Sequence, residues 1–343
     1  MGHKTNTFSQ NILKWFKNHG RKNLPWQSSN SYHVWISEIM LQQTQVKKVI
    51  EYYKNFIKQF PNMKVLAQAD TQDVLLYWSG LGYYNRATNI HKTAQICVKE
   101  YASTLPINLK ELMALPGIGK TTAGAILSLA SNLPYPILDG NVKRVISRVY
   151  TTNANNLNQL NNKHWKIVTE LVPKTNARDF NQALMDLGSM ICTRSKPKCP
   201  KCPMTKICIA YNLDKIDLYP QTKAKTKQIN KSYYLLMLVK NNKLYLQQRD
   251  IQSIWPQLWF LPMFETQKDV YNYNEYQKIK NPQEIQFDIK HILTHRKLTL
   301  HVTCINIRTT HKLDKDWIKL SDYQQLPHPT ALVKIIKHYH AII

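Results

Sequence analysis

The stretch from Leu115 to Arg148 reads LPGIGKTTAGAILSLASNLPYPILDGNVKRVISR. Its first five residues, Leu115-Pro116-Gly117-Ile118-Gly119, form a turn too tight for side chains at the tip, where glycine permits positive φ and close approach of another backbone. A helix beginning near Thr121 leaves its first amides unpaired, and such amides suit an anion such as phosphate. Asp139 stands where a helix N-cap is expected, ahead of Gly140-Asn141-Val142. The stretch thus offers an anion clamp around Gly117, Gly119 and Thr121, then a carboxylate at a second helix start. Each half alone also has a plain reading, a turn and a cap, so the rest of the chain must discriminate.

At 343 residues the chain has room for two domains, and its 43% hydrophobic content is enough for packed cores. Lysine and arginine number 47 against 21 aspartate and glutamate, a net charge of +26. That excess points to a polyanionic partner, with nucleic acid ahead of a membrane surface. Residues 1–12 are polar and lack the apolar run of a secretory signal. Thr121 to Leu138 carries no charge, but Ser128, Ser131, Asn132, Pro134 and Pro136 favour a buried helix and loop over a membrane span. The expectation is an intracellular protein, with the bacterial cytoplasm as its compartment and no membrane partner. Its six cysteines then serve as ligands or free thiols rather than disulfides.

Helical spacing recurs over 6–19, 33–43, 46–59, 71–78, 84–100, 108–113, 121–131, 140–149, 162–172 and 177–191, with Pro and Gly between many of these runs. The first 212 residues therefore read as an all-α domain. Residues 213–231 are lysine-rich with little apolar period and read as a linker. From Ser232 to residue 343 the pattern is that of a smaller α+β domain with mostly antiparallel strands. Tyr233–Val239 and Lys243–Gln247 form a hairpin about Asn241-Asn242, further strands fall near 257–263 and 298–307, and a short helix spans 330–340.

Cys192, Cys199, Cys202 and Cys208 follow the spacing C-x6-C-x2-C-x5-C, which marks a metal site. Spacing alone leaves zinc and an iron–sulfur cluster open; with no histidine in the segment the site looks structural. The loop between the first two ligands holds Arg194, Lys196 and Lys198, cations suited to a phosphate contact. Glu38 lies among Trp35, Ile36, Ile39, Met40 and Leu41. It is either on an exposed helix face or partly buried with a raised pKa, and the second state makes a general acid. Gly80-Leu81-Gly82-Tyr83-Tyr84-Asn85-Arg86 is either a tight turn or a stacking ring beside a phosphate contact.

Taken together, Ser37–Gln45, Gly80–Tyr84, Leu115–Gly119, Leu138–Val142 and the four cysteines resemble the helix-hairpin-helix DNA glycosylases that carry an iron–sulfur cluster, and within them the adenine DNA glycosylase (MutY) family. These motifs span residues 21 to 208. The resemblance implies an all-α helix-hairpin-helix domain with a cluster loop, followed by a Nudix-like α+β domain. It implies that Asp139 stabilises an oxocarbenium-like sugar, that Glu38 protonates adenine, and that Asn141 assists near the sugar. Gln42 and Tyr83 match residues that wedge around the partner base, and Trp26 and Gln182 match the adenine pocket. The four cysteines would hold one [4Fe–4S] cluster. The implied partner is double-stranded DNA containing adenine opposite 8-oxoguanine or guanine, bound by a monomer in base excision repair.

The endonuclease III family shares hairpin, aspartate and cluster but carries a catalytic lysine where this chain has Thr121; Lys120 points about 100° away on a helix. The expectation is therefore base removal without strand cleavage, and a DNA-binding protein without catalysis is disfavoured by the two carboxylates. In the second domain, Trp255–Pro262 resembles the family's strand motif, but no acidic Nudix box is present in 232–343, which leaves recognition rather than hydrolysis. Thr294 and His295 fall where the family contacts 8-oxoguanine, with Leu293 in place of the family's phenylalanine.

Overall fold

A computed structural model describes residues 2–221, 228–273, 276, 279, 282–307 and 317–342. They divide into two compact units, residues 1–68 with 89–223, and residues 69–88 with 224–343. Nothing in the local sequence pattern marks residues 69–88 as companions of the C-terminal part. Residues 222–227 of the expected linker lie outside the described residues, and Ile229 to Lys231 open a strand.

The first unit is helical. In chain order its helices are α1 (Gly2–His19), α2 (Ser31–Leu41), α3 (Val46–Gln59) and α4 (Met63–Gln68). After α5 (Thr71–Trp78), which belongs to the other unit, come α6 (Asn85–Glu100), α7 (Leu109–Ala114), α8 (Lys120–Ala125), α9 (Gly140–Tyr150), α10 (Leu157–Leu171), α11 (Ala177–Met190) and α12 (Ile209–Asn212). Capping chemistry explains several starts: the side chains of Asn30, Asn108, Asp139 and Asn156 each accept a backbone N–H of the first turn. The Asn156 cap places the start of α10 ahead of the expected 162. The helix α4 has only six residues, too few for a period to show. The helix expected over 121–131 is α8 followed by one π-helical turn, Ile126–Ala130.

The apolar face of α9, Val142, Val145, Ile146 and Val149, is fully buried against Phe8, Ile12 and Phe16 of α1 and Phe180, Leu184 and Leu187 of α11. Each such side chain contributes about 1.5–3 kcal/mol by leaving water. This packing sets the start of α9, and with it Asp139, relative to α11. A smaller cluster of Val34, Ala125, Leu129, Ala130 and Ile137 joins α2 to the π turn.

The second unit contains a sheet with strands β1 (Ile229–Lys240), β2 (Lys243–Tyr245), β5 (Met263–Phe264), β6 (Glu284–Ile292), β7 (Arg296–Asn306) and β8 (Trp317–Lys319), ordered β6-β7-β1-β2-β8 with β5 on β1. A separate pair joins β3 (Gln247–Gln248) to β4 (Trp259–Phe260). The β1–β2 hairpin turns at Asn241 and Asn242, both at positive φ, as expected for asparagine in such a turn. Most pairings are antiparallel, but the central one, β1 with β7, is parallel from Ile229–Arg296 to Val239–Asn306. A crossover pairing of that kind leaves no local signature. Among the described residues the unit also holds the helices α13 (Gln267–Asn272) and α14 (Thr330–Ile342).

Into this second unit α5 and the turn after it are tied by polar contacts. Gln72 Nε2 donates to the Gln257 carbonyl at 3.2 Å, and Trp259 Nε1 donates to Gln72 Oε1 at 3.1 Å. The Tyr84 hydroxyl donates to the His328 carbonyl at 2.9 Å.

Candidate active site

Asp139 caps α9 as expected: Oδ1 accepts the Val142 N–H at 2.7 Å, and Oδ2 accepts the Asn141 side-chain amide at 2.9 Å. The Asn141 oxygen accepts from Arg144 Nη2 at 3.0 Å. Arg144 also donates to the Gly188 carbonyl at 2.6 Å and, through Nε, to the Cys192 carbonyl at 2.6 Å. One guanidinium therefore joins the start of α9 to α11 and to the first cysteine.

Glu38 lies on the last half of α2, partly exposed among buried Trp35, Ile36, Ile39 and Met40. Burial, then the nearby Asp139 charge, pushes its carboxyl up to about 7. Burial raises the Asp139 carboxyl as well, but hydrogen bonds from Val142 and Asn141 and the Arg144 charge pull it back. Two like charges this close do not both ionise readily. The Asp139 carboxyl stays above its ordinary range on balance, but its donors favour the anion, whereas at Glu38 burial and the Asp139 charge both favour the protonated form. Of the two states open for Glu38 from sequence, the structure has the partly buried, raised one.

The glycine turn expected to clamp an anion precedes α8, whose first turn contacts the residue before Asp139. Gly117 sits at φ +77, and a Cβ there would meet the Asn89 side chain at 3.0 Å. Gly119 caps α8. The Thr121 hydroxyl donates to the carbonyl of Leu138, the residue before Asp139, at 3.3 Å. Gln42 Nε2 donates to Thr122 Oγ1 at 3.2 Å, so the end of α2 is fastened to the start of α8. Lys120 Nζ rests over the Trp165 ring, 4.3 Å from its centroid, on a different face from Thr121.

Trp26 and Gln182 line one cavity of about 640 Å³, together with Val34, Leu129, Arg178 and Ser37, the neighbour of Glu38. Cys192, Cys199, Cys202 and Cys208 line a second, narrow cavity with Val145, Leu187 and Met204. None is in a disulfide, and burial pushes the Cys202 thiol up to about 12. Buried Arg148 donates to Cys192 Sγ at 3.4 Å and to the Thr193 carbonyl at 2.7 Å. Among the described residues no three His, Cys, Asp or Glu side chains gather as around a single metal ion.

In the second unit, Tyr83 is exposed, at positive φ, with Arg86 packed on its ring at 5.4 Å. Its hydroxyl bonds the hydroxyl of Thr294, which with His295 forms the tip of the β6–β7 hairpin. Two residues singled out separately in the sequence thus meet. Arg144, Arg148 and Asp186 carry site contacts that sequence reading missed; the one local hint is two arginines four residues apart on α9, beside its apolar face.

Residues 36–170 match the HhH-GPD superfamily of base excision DNA repair proteins, and residues 233–338 match the NUDIX domain. The adenine DNA glycosylase of Buchnera aphidicola subsp. Acyrthosiphon pisum is 41% identical, over 97% of this chain and 97% of its own length. The chain belongs to the adenine DNA glycosylase family. As a member it is an enzyme that cleaves an N-glycosidic bond in base excision repair. The mouse adenine DNA glycosylase is 40% identical over 60% of this chain and 42% of its own length. Among solved structures, a thermostable thymine-DNA glycosylase aligns with a TM-score of 0.57 at 31% identity, over 62% of this chain and 98% of that one. A non-covalent endonuclease III–DNA complex aligns with a TM-score of 0.54 at 21% identity, over 62% of this chain and 98% of that one, and shares the fold of the glycosylase half. Among the described residues no helix is long and apolar enough to cross a membrane.

Proposed function

We propose that this adenine DNA glycosylase is monofunctional and removes adenine mispaired with 8-oxoguanine or guanine in double-stranded DNA. The observation that carries the reading is the asymmetric carboxylate pair: Asp139 ringed by donors, Glu38 with its carboxyl raised to about 7. Breaking the bond between the sugar and adenine leaves the electron pair on the base and positive charge on the sugar. Glu38 gives its proton to the departing base, and the Asp139 anion stabilises the sugar cation, with Asn141 holding the carboxylate in place. Water then adds to the sugar carbon and gives up a proton. The Thr121 hydroxyl, at the position where the resemblance puts a lyase's lysine, bonds the Leu138 carbonyl, and Lys120 rests on Trp165, which supports base removal without a Schiff base.

Gly117, Gly119 and Thr121 bind the backbone phosphate of the substrate strand, Gln42 and Tyr83 wedge around the partner base while adenine is flipped out, and Trp26 and Gln182 receive it. Thr294 and His295 read the partner base. We assign these tasks to a glycosylase domain over 1–212 and a recognition domain over 232–343, acting as a monomer where genomic DNA lies. Cys192, Cys199, Cys202 and Cys208 suit one [4Fe–4S] cluster, with structural zinc as the alternative: four thiols line one cavity. When bound, the cluster supplies a rigid brace for the basic loop, not a reaction step.

A duplex with adenine opposite 8-oxoguanine tests the reading. Strand breaks appearing only after alkali are expected. Breaks without alkali would make the enzyme bifunctional, and bound but intact DNA would remove the catalytic assignment.

A further inference from the structure

Arg21 and Asp186 form an ion pair that the chemistry above does not use. Arg21 Nη2 and Nε reach Asp186 Oδ1 at 2.5 and 2.8 Å, and the Arg21 backbone N–H donates to Oδ2 at 2.7 Å. The Asp186 side chain has no exposed surface. It accepts one more bond, from Gln182 Nε2 at 2.9 Å, across one turn of α11. A carboxylate facing a guanidinium accepts and cannot donate. Gln182 must therefore turn its NH2 group to Asp186 and its carbonyl oxygen the other way. Gln182 lines the cavity shared by Trp26 and Ser37, and no group among the described residues bonds its Oε1.

We propose that the Arg21–Asp186 pair is a positioning device for base selection. By locking the Gln182 amide in one sense, it presents an acceptor to the cavity and selects a purine with a 6-amino donor over a 6-oxo purine. The proposal rests on the reading of this cavity as the base pocket. An adenine amino group satisfies Oε1, whereas the carbonyl of hypoxanthine or guanine brings two acceptors together and leaves both unpaired.

The charge is what makes the lock one-sided. Gln182 and the Arg21 guanidinium share Oδ1. An Asp186→Asn amide turned with its oxygen to the Arg21 backbone N–H puts its NH2 at the Oδ1 position. That releases the partly exposed guanidinium and faces Gln182 with a donor. Gln182 is then free to turn over and show its own NH2 to the cavity, which suits a 6-oxo purine.

The experiment compares single-turnover removal of adenine and of hypoxanthine from duplexes identical in every other base. Wild type, Asp186→Asn and Gln182→Leu are measured, each with thermal melting and duplex affinity. The expected result is a preference for adenine in wild type that falls by roughly tenfold or more in Asp186→Asn, because hypoxanthine removal is spared or improved. Gln182→Leu, which keeps the ion pair but removes the acceptor, is expected to narrow the preference without reversing it. A purely structural pair would lower both rates by one factor and leave their ratio alone, and that result would overturn the proposal. If Asp186→Asn does not fold, an unchanged ratio in Gln182→Leu overturns it equally. Wild type that removes no adenine would sink the pocket reading itself; wild type that removes adenine with ratios unmoved by both variants would sink only the positioning role.

Discussion

The Asn141 side-chain amide donates to Asp139 Oδ2 at 2.9 Å. That bond spends one lone pair of the carboxylate on the protein and directs the rest of it. Asp139→Asn removes the anion while keeping the shape. It should lower adenine removal roughly a thousandfold with duplex affinity retained, whereas Asn141→Ala should cost ten- to a hundredfold. Single-turnover rates and filter binding measure both; a fully active Asp139→Asn would remove its assigned role.

As the proposed general acid, Glu38 would set the pH response. Its carboxyl titrates at about 7, so the proton it delivers disappears as pH rises through that value, and the rate should fall on the alkaline side. Stability follows the same sign. A carboxyl raised in the folded state from its ordinary 4.5 contributes stability that is full below 4.5 and lost as pH climbs through about 7. Glu38→Gln should therefore be nearly inactive with a flat pH profile, yet melt higher than the parent at pH above 7. A parent profile that is flat from neutral to alkaline pH would contradict this.

On the proposed reading, Thr121 separates base removal from strand cleavage. Its hydroxyl contacts the residue before Asp139, so a lysine there would bring an amine to the sugar. Thr121→Lys should yield a covalent protein–DNA adduct under borohydride and some breaks without alkali. Absence of any adduct, in a variant that still binds and removes adenine, would place Thr121 away from the sugar.

Gly188 controls the distance between α9 and α11. A Cβ at this position would lie 2.6 Å from the Asn141 Cβ and 3.0 Å from its Cα. Gly188→Ala must push the start of α9 outward, at a cost of about 1–3 kcal/mol, and should lower the melting temperature and the rate together. Unchanged melting and rate would show that the two helices yield freely.

Anaerobically purified protein should contain iron and acid-labile sulfide and be brown, and Cys202→Ser should lose both colour and melting stability. Zinc in place of iron would remove the cluster assignment.

Much of the glycosylase half was legible because its information is local. The cap at Asp139, the Gly117 turn and the apolar stripe of α9 are each written within a few consecutive residues. The state of Glu38 was not, since it depends on what α8 and α9 bring beside it. Arg21 and Asp186 stand 165 residues apart, and no period or motif ties them. The parallel pairing of β1 with β7 was hidden for the same reason: each strand announces its own pattern but not its partner.

Residues 69–88 count with the C-terminal unit although they interrupt the helical one in sequence. The chain is therefore stitched, passing into the second unit, back out, and in again. A gene truncated after the cysteines would not release a tidy catalytic half. It would strand α5, with Gln72 and Tyr84 stripped of Gln257, Trp259 and His328, in the middle of what remained.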